Sequence, residues 1–373
     1  MKIVFLFHVP FEDRFLKSFY VEALMARGHK VEIWSLAKHF GSDLIFGSGS
    51  EKTRNMTHEL SLAQLEQKLK TESKDILVFP SFASYWGTLQ IYRLLKKYRI
   101  RTFYIDRGSL PHFQKAQGQL SLFISKLKGF LNSLLGAFQI IKVHDVLFYS
   151  GIRKKSGLEI VQINASDYDQ YLTEKNPELN LGFPYIVFLD EFMAYHPDFD
   201  FLGWPKLNDI NYFEQLNGLF EKIEKEVGAK IVIAEHPKAS YQSNPFGGRK
   251  MIKGNTQNLV KNSEMVVCHA SNSIGYAVIF KKKLLFCCTR QMSQLYSESI
   301  YSTSKQLADI LGAPFLITEE AAESKVIIRE TNQAKYAEFQ TKYLSAGDGK
   351  RKSVEIIEET LFKFGLRNNS EKN

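Results

Sequence analysis

Residues 2–34, KIVFLFHVPFEDRFLKSFYVEALMARGHKVEIW, decide the fold. Positions 3–7 are apolar without interruption, the pattern of a strand covered on both faces. Over 15–26 the apolar residues recur at helical spacing, Gly28 stops the helix, and 31–34 starts another strand. Strand, helix and strand in that order make a βαβ unit, which builds a parallel sheet. The leading apolar run has no small-residue cleavage site and meets Glu12, Asp13 and Arg14 at once, so it reads as a first strand rather than a signal peptide.

The alternation continues outward. A strand at 76–79, a helix over 88–98 and a strand at 102–105 follow, the last running into Asp106-Arg107-Gly108; strands at 146–149 and 158–163 complete the series. Residues 165–183 are polar and turn-rich, with Asp167, Asp169, Asn176-Pro177, Asn180 and Gly182, and mark a domain boundary. A second series opens with a strand at 185–189. An amphipathic helix follows, with Ile210, Phe213, Leu216, Phe220, Ile223 and Val227 on one face, and Gly228 ends it. Strands at 230–234, 265–268 and 284–287 alternate with helices at 256–261 and from Asn272. The division is 1–165, 183–345 and a last helix within 351–366 that packs back on the first domain. The expected class is α/β, with two Rossmann-like domains facing each other across a cleft.

Bulk properties agree. A chain of 373 residues exceeds what one core usually supports, and 44% hydrophobic with 24% charged residues is a globular composition, so two ordered domains are expected. The net charge of +9 calls for an anionic partner: a nucleotide sugar, an acidic glycan or a phospholipid surface. No run interleaves basic and aromatic residues as nucleic-acid modules do, so nucleic acid is not an expected partner. Cys268, Cys287 and Cys288 lie in apolar strands, and the adjacent pair is poorly placed for a disulfide; buried free thiols and a cytoplasmic location follow. Segment 120–141 is amphipathic but interrupted by Lys126 and Lys128, too polar to span a bilayer. It either packs on the first domain or rests on an anionic membrane at the inner face, beside a lipid-linked acceptor.

Neither series begins with the G-x-G-x-x-G turn that admits a dinucleotide, and Gly47-Ser48-Gly49 reads as a surface loop. The chemistry sits elsewhere. Strand 230–234 runs into Glu235-His236-Pro237-Lys238, which places an imidazole donor and an ammonium at the carboxyl edge of a sheet, where ligands bind. Strand 265–268 runs into His269-Ala270-Ser271-Asn272-Ser273, with Ser271 expected as the N-cap of a helix whose free N–H groups hold an anion. The plainer accounts are an ordinary strand-end His-Pro and an ordinary capping sequence.

The order strand-EHPK, strand-HASNSIGYA, then Lys281-Lys282-Lys283 and another strand resembles the donor half of bacterial sialyltransferase-like and capsule-polysaccharide transferases of the GT-B type. The likeness covers 76–290 by order of elements. It implies that His236 and Pro237, with Ser271 and Ser273, hold the phosphate of a CMP-activated sugar, a nonulosonate or Kdo; Asn272 separates the two serines, and it and Lys238 are read as further donor contacts from their places at the strand ends. It also implies no metal or other cofactor and a glycan acceptor in surface-polysaccharide synthesis. The acidic-x-Gly motif of those families fits Asp106-Arg107-Gly108, with Asp106 the general base and Arg107 and Gly108 contacts; Arg107 stands where a second acidic residue is usual. Asp190 and Glu191, after the first strand of the second series, are further acceptor or donor contacts. Asp198-x-Asp200 reads as a turn, against the alternative of a carboxylate pair holding a divalent ion. Two rivals stay open: a CDP-polyol phosphotransferase of the teichoic-acid kind with a catalytic His, and a non-catalytic glycan- or membrane-binding subunit.

Overall fold

Apolar strands that alternate with helices are buried on both faces, and the chain satisfies this with two parallel sheets, one in each of two units. The computed structural model describes residues 1–43, 53, 55–84, 86–106, 144–152, 159–173, 179–197, 199, 203–321 and 325–366. Among these, unit 1 takes the residues up to 166 and from 346 onward, and unit 2 takes 167–345. The two expected Rossmann-like α/β domains are present.

Unit 1 runs β1 Lys2–Phe7, α1 Asp13–Ser18, α2 Val21–Ala26, β2 Val31–Ser35, α3 Ala37–Phe40, β3 Thr57–Glu59, α4 Leu62–Glu72, β4 Ile76–Pro80, α5 Leu89–Lys97, β5 Arg101–Asp106, β6 Val146–Ser150 and β7 Glu159–Ile163. The strands are parallel in the order β3-β2-β1-β4-β5-β6-β7. Alternation along β1 divides the core in two. Ile3, Phe5 and Phe7 pack with Leu16, Val21 and Leu24, while Val4 and Leu6 pack with Leu65, Leu69, Ile91 and Leu95.

The single helix expected over 15–26 is two helices. Tyr20 between them takes φ 61°, a left-handed conformation costly for a bulky side chain. The break lets Phe15 of α1, Phe19 just after it, and then Val21 and Leu24 of α2, all reach the same face of β1.

Unit 2 runs α6 Ser166–Thr173, β8 Tyr185–Leu189, α7 Asp209–Val227, β9 Lys230–Glu235, β10 Met251–Lys253, α8 Thr256–Asn262, β11 Met265–Cys268, α9 Ile274–Ile279, β12 Lys283–Cys288, α10 Arg290–Leu295, α11 Ile300–Leu311, β13 Phe315–Ile317, α12 Thr318–Ala321 and α13 Gln333–Phe339. The strands are parallel in the order β10-β9-β8-β11-β12-β13. Phe213, Leu216, Phe220 and Ile223 of α7 are buried with Tyr212 and Leu219 in the core of this unit, whereas Ile210 and Val227, expected on the same face, are exposed at the two ends of the helix; Gly228 ends it at φ 75°, as an L-residue would do only under strain. The three thiols are buried and free; burial pushes Cys288 up to about 12, which makes it inert.

The first part of the stretch read as a turn-rich boundary is helical. Its helix, α6, docks on α9: Tyr276 Oη donates to Gln170 Oε1 at 2.5 Å, and a Cβ on Gly275 would lie 2.6 Å from Asp167 Oδ2. Only glycine lets α6 come this close.

After unit 2 the chain returns to unit 1 as α14 Ser353–Lys363, packed against α2 and β7. Glu358, buried on α14, lies 2.6 Å from Arg27 Nη2 and 2.6 Å from His29 Nε2. Asn164 fixes the approach, donating to Arg351 O at 2.8 Å and accepting from Ala346 N at 2.7 Å. Among the described residues no helix is long and apolar enough to cross a membrane. Segment 120–141 and Gly47-Ser48-Gly49 lie outside the described residues.

Candidate functional site

In an open parallel sheet, ligands bind beyond the carboxyl ends of the strands, where the strand order reverses. In unit 2 the chain builds β8, β9 and β10 outward in one direction, then returns to place β11 on the other side of β8. The switch point therefore lies between the ends of β8 and β11. Asp190 and Glu191 follow β8, His269 to Ser273 follow β11, and His236 follows β9.

Two carboxyl groups stitch these three ends together. Asp190, 5% exposed, accepts from Phe192 N at 2.9 Å, from His236 N at 3.2 Å and from the Tyr241 hydroxyl at 3.0 Å. Burial pushes the Asp190 carboxyl up, against the pull of these donors. Phe192 takes φ 52°, and this strained turn sends the preceding side chain back across the sheet edge. Glu191 Oε1 there accepts from His269 N at 3.1 Å and Ala270 N at 2.8 Å. Burial pushes Glu191 up to about 8, and the backbone donors only partly oppose it.

The expected capping arrangement is corrected. Ser273, not Ser271, is the N-cap of α9, and its side chain makes no capping bond. Ser271 is nearly buried, and its hydroxyl accepts from Ser273 N at 3.2 Å. Of the N–H groups expected to greet an anion at the start of this helix, that of Ser273 is already taken by Ser271, and Glu191 takes those of His269 and Ala270 just before it. With six residues, α9 is also too short to develop a strong dipole of its own. Asn272 is exposed and Ser273 half-exposed.

His236 is half-buried, its ring set edge-on to that of His196 at 5.1 Å between centroids. Its Nδ1 accepts from Lys238 N at 3.2 Å, so the neutral ring carries its proton on Nε2 and that nitrogen is a donor. Pro237 and Lys238 are exposed. His269, by contrast, is a core residue. Its Nδ1 donates to Cys287 O at 2.6 Å, its Nε2 faces the Tyr212 hydroxyl at 2.9 Å, and burial pulls it down to about 4.

Asp106 ends β5 in unit 1, half-buried and in register with Tyr149 of β6. Arg107, Gly108, Asp198 and Asp200 lie outside the described residues. Among the described residues no cluster of three or more His, Cys, Asp or Glu side chains can hold a metal ion.

Two residues without a role in the sequence reading occupy the switch point of unit 1, between β1 and β4. His8 follows β1 and Ser81 follows β4. The His8 ring packs edge-on to Phe40 and Phe82, and burial lowers its pKa. His8 Nδ1 and Ser81 Oγ are both buried with no hydrogen-bond partner among the described residues. A signal existed: His8-Val9-Pro10 repeats, at the end of a strand, the His and Pro cue of 236–237.

No family model matches the chain, and no curated protein matches it. Solved structures of similar extent include the UDP complex of Staphylococcus aureus MnaA, with 14% identity, 98% of each chain covered and a TM-score of 0.46. The glycotransferase of kitacinnamycin has 11% identity, with 96% of this chain and 99% of that one covered, at a TM-score of 0.48. Acinetobacter baumannii MurG has 9% identity over 86% of this chain and 87% of that one, at 0.44. Likeness of this degree assigns neither a family nor an activity to the chain.

Proposed function

We propose that the chain is a glycosyltransferase that moves a sugar from a nucleotide-activated donor to a glycan acceptor. Unit 2 holds the donor and unit 1 the acceptor. The observation that carries this reading is the platform at the β8–β11 switch point. Asp190 and Glu191 lock three strand ends together, and on that platform stand His236 with a defined Nε2 donor, Lys238, Asn272 and Ser273. An imidazole donor, an ammonium and hydroxyl or amide donors at one sheet edge are suited to phosphate oxygens, and they stabilise charge that develops on a leaving nucleotide. Asp106 is the group proposed to activate the acceptor hydroxyl. The finer reading is a CMP-linked acidic sugar as donor, in surface-polysaccharide synthesis and without a metal.

A thermal-shift panel of CMP, CDP, UDP and GDP, with and without Mg²⁺, tests the donor. A nucleotide at 100 times its Kd adds about 2.7 kcal/mol of apparent stability. Stabilisation by CMP that disappears in His236→Ala is the expected result. Stabilisation by UDP or GDP alone discards the CMP donor, and none by any nucleotide discards the transferase reading. The defined Nε2 donor of His236 also suits a second reading, polyol-phosphate transfer from a CDP carrier. Full turnover in Asp106→Ala, with loss in His236→Ala, favours that one.

A further inference from the structure

Unit 2 carries a concavity at its carboxyl edge, to one side of the switch-point platform. Arg290 opens α10 one residue after β12, Glu319 is the second residue of α12, which directly follows β13, and Asn208 and Asn211 stand at the start of α7. With Gln291 and Gln294 they line an open groove of about 390 Å³. That is within the range of small-molecule sites.

The lining is chemically uniform. Four of its six residues are amides, and the remaining two, a guanidinium and a carboxylate, cancel in charge. Some of the polar capacity holds the groove together. Asn208 Oδ1 accepts from Asn211 N at 3.0 Å, Asn208 N donates to Gln291 Oε1 at 3.1 Å, and Arg290 N donates to both oxygens of Glu319 at 3.1 and 2.9 Å. Thr318 Oγ1 adds a bond to Glu319 Oε2 at 2.8 Å, so the carboxylate is held rigidly. The Arg290 guanidinium and the Asn211 and Gln294 amides make no hydrogen bond or ion pair among the described residues. A carboxylate offers about four acceptor sites, of which Glu319 uses three.

We propose that this groove is a binding site for the vicinal hydroxyls of a neutral sugar ring. Each hydroxyl both donates and accepts, and so does each amide. A pair of adjacent hydroxyls spans the fork of a guanidinium or the face of an amide. A carboxylate opposite the guanidinium disfavours an anion and accepts from a hydroxyl. The groove lies beyond the ends of β12 and β13, about 5–10 Å along the sheet edge from β11. A ring in it is therefore within reach of a ligand at the switch-point platform, and two sources supply the same chemistry: the pyranose of a glycan or donor, or the ribose of a nucleotide. The ribose and a pyranose carried by the donor rest on the donor reading of unit 2; the pyranose of a glycan does not.

Saturation-transfer NMR on the full chain tests the site with two sets of probes at millimolar concentration. One set is methyl α-D-glucopyranoside, methyl β-D-galactopyranoside and N-acetylglucosamine; the other is uridine and cytidine beside their 2′-deoxy forms. The expected result is transfer to ring protons in one set, about tenfold weaker in an Asn211→Ala, Gln294→Ala double variant. Transfer from the pyranosides assigns a glycan or donor sugar. Transfer from ribonucleosides but not their 2′-deoxy forms assigns a ribose. Both replaced amides make no internal side-chain bond, so the fold is retained, and Arg290→Gln provides an independent variant that keeps the backbone bond to Glu319. No transfer in either set, transfer unchanged in both variants, or equal binding of the 2′-deoxy forms without any pyranoside binding overturns the proposal. His236→Ala separates the two sites: it abolishes nucleotide stabilisation on the donor reading and leaves pyranoside transfer in the groove intact.

Discussion

The carboxyl group of Glu191 and the backbone N–H of Ala270, joined at 2.8 Å, bridge the ends of two strands that sit on opposite sides of a topological switch. This bond makes the loop after β11 a fixed feature. It also places a group titrating near 8 at the heart of the candidate donor platform.

The first prediction concerns that titration. The folded Glu191 holds its proton to about pH 8, whereas an unfolded glutamic acid releases it near 4.5. The unfolded state therefore binds fewer protons between these limits, and stability falls as pH rises through the window. Glu191→Gln, which cannot ionise, should lose less stability than the parent between pH 5 and 8.5, by at least ~1 kcal/mol. Denaturant melts at the two pH values check it. Parallel pH dependences for the two proteins would show that Glu191 is ionised throughout.

His8 and His269 should behave as neutral rings. Burial lowers His8 and holds His269 near 4, against 6.5 in the unfolded chain. Acidification below pH 6.5 then protonates the unfolded state first and costs stability, the cost from His269 being complete near pH 4. Histidine ¹⁵N spectra through a pH titration read each ring directly. A His8 that titrates at or above 6.5 contradicts the packing against Phe40 and Phe82.

Gly275→Ala should destabilise unit 2 by about 1–3 kcal/mol, because the new methyl meets Asp167 Oδ2 at 2.6 Å. Asp167→Ala in the same chain removes that oxygen and should recover part of the loss. A double-mutant cycle in urea measures the coupling, and strict additivity of the two changes would falsify the contact.

Glu358→Ala leaves the Arg27 and His29 side chains without their carboxylate and should cost unit 1 about 2–4 kcal/mol. Hydrogen exchange should rise in α2 and α14 and stay unchanged in the sheet of unit 2. Uniform exchange across both units would instead mean a single cooperative fold.

The parts legible in the amino-acid sequence are those with local causes. Apolar runs such as 3–7 and 185–189 are strands because nothing else covers both faces of a sheet, and Gly28 and Gly228 end helices with φ of 84° and 75°. β3, β10 and β13 have three residues each, too few to show a period, and so carried no signal. The left-handed Tyr20 is imposed by packing on β1, which local spacing does not encode. At the candidate site, His236 and Ser271 could be singled out because the first directly follows β9 and the second stands three residues beyond β11. The reach of Glu191 to His269 and Ala270 could not, because those residues lie 78 and 79 positions away in the chain and are brought beside it only by the pairing of β8 with β11. His8 carries the same local cue, since it directly follows β1.

The return of α14 to unit 1 sets an order of events during synthesis. Unit 2 is continuous from 167 to 345 and has all its strands once that stretch has emerged, whereas the helix that covers Ile3, Phe5 and Val21 is made after it. Unit 1 is completed only after unit 2 has been made, so its apolar face stays open while unit 2 folds, a transiently exposed surface that invites aggregation or a chaperone.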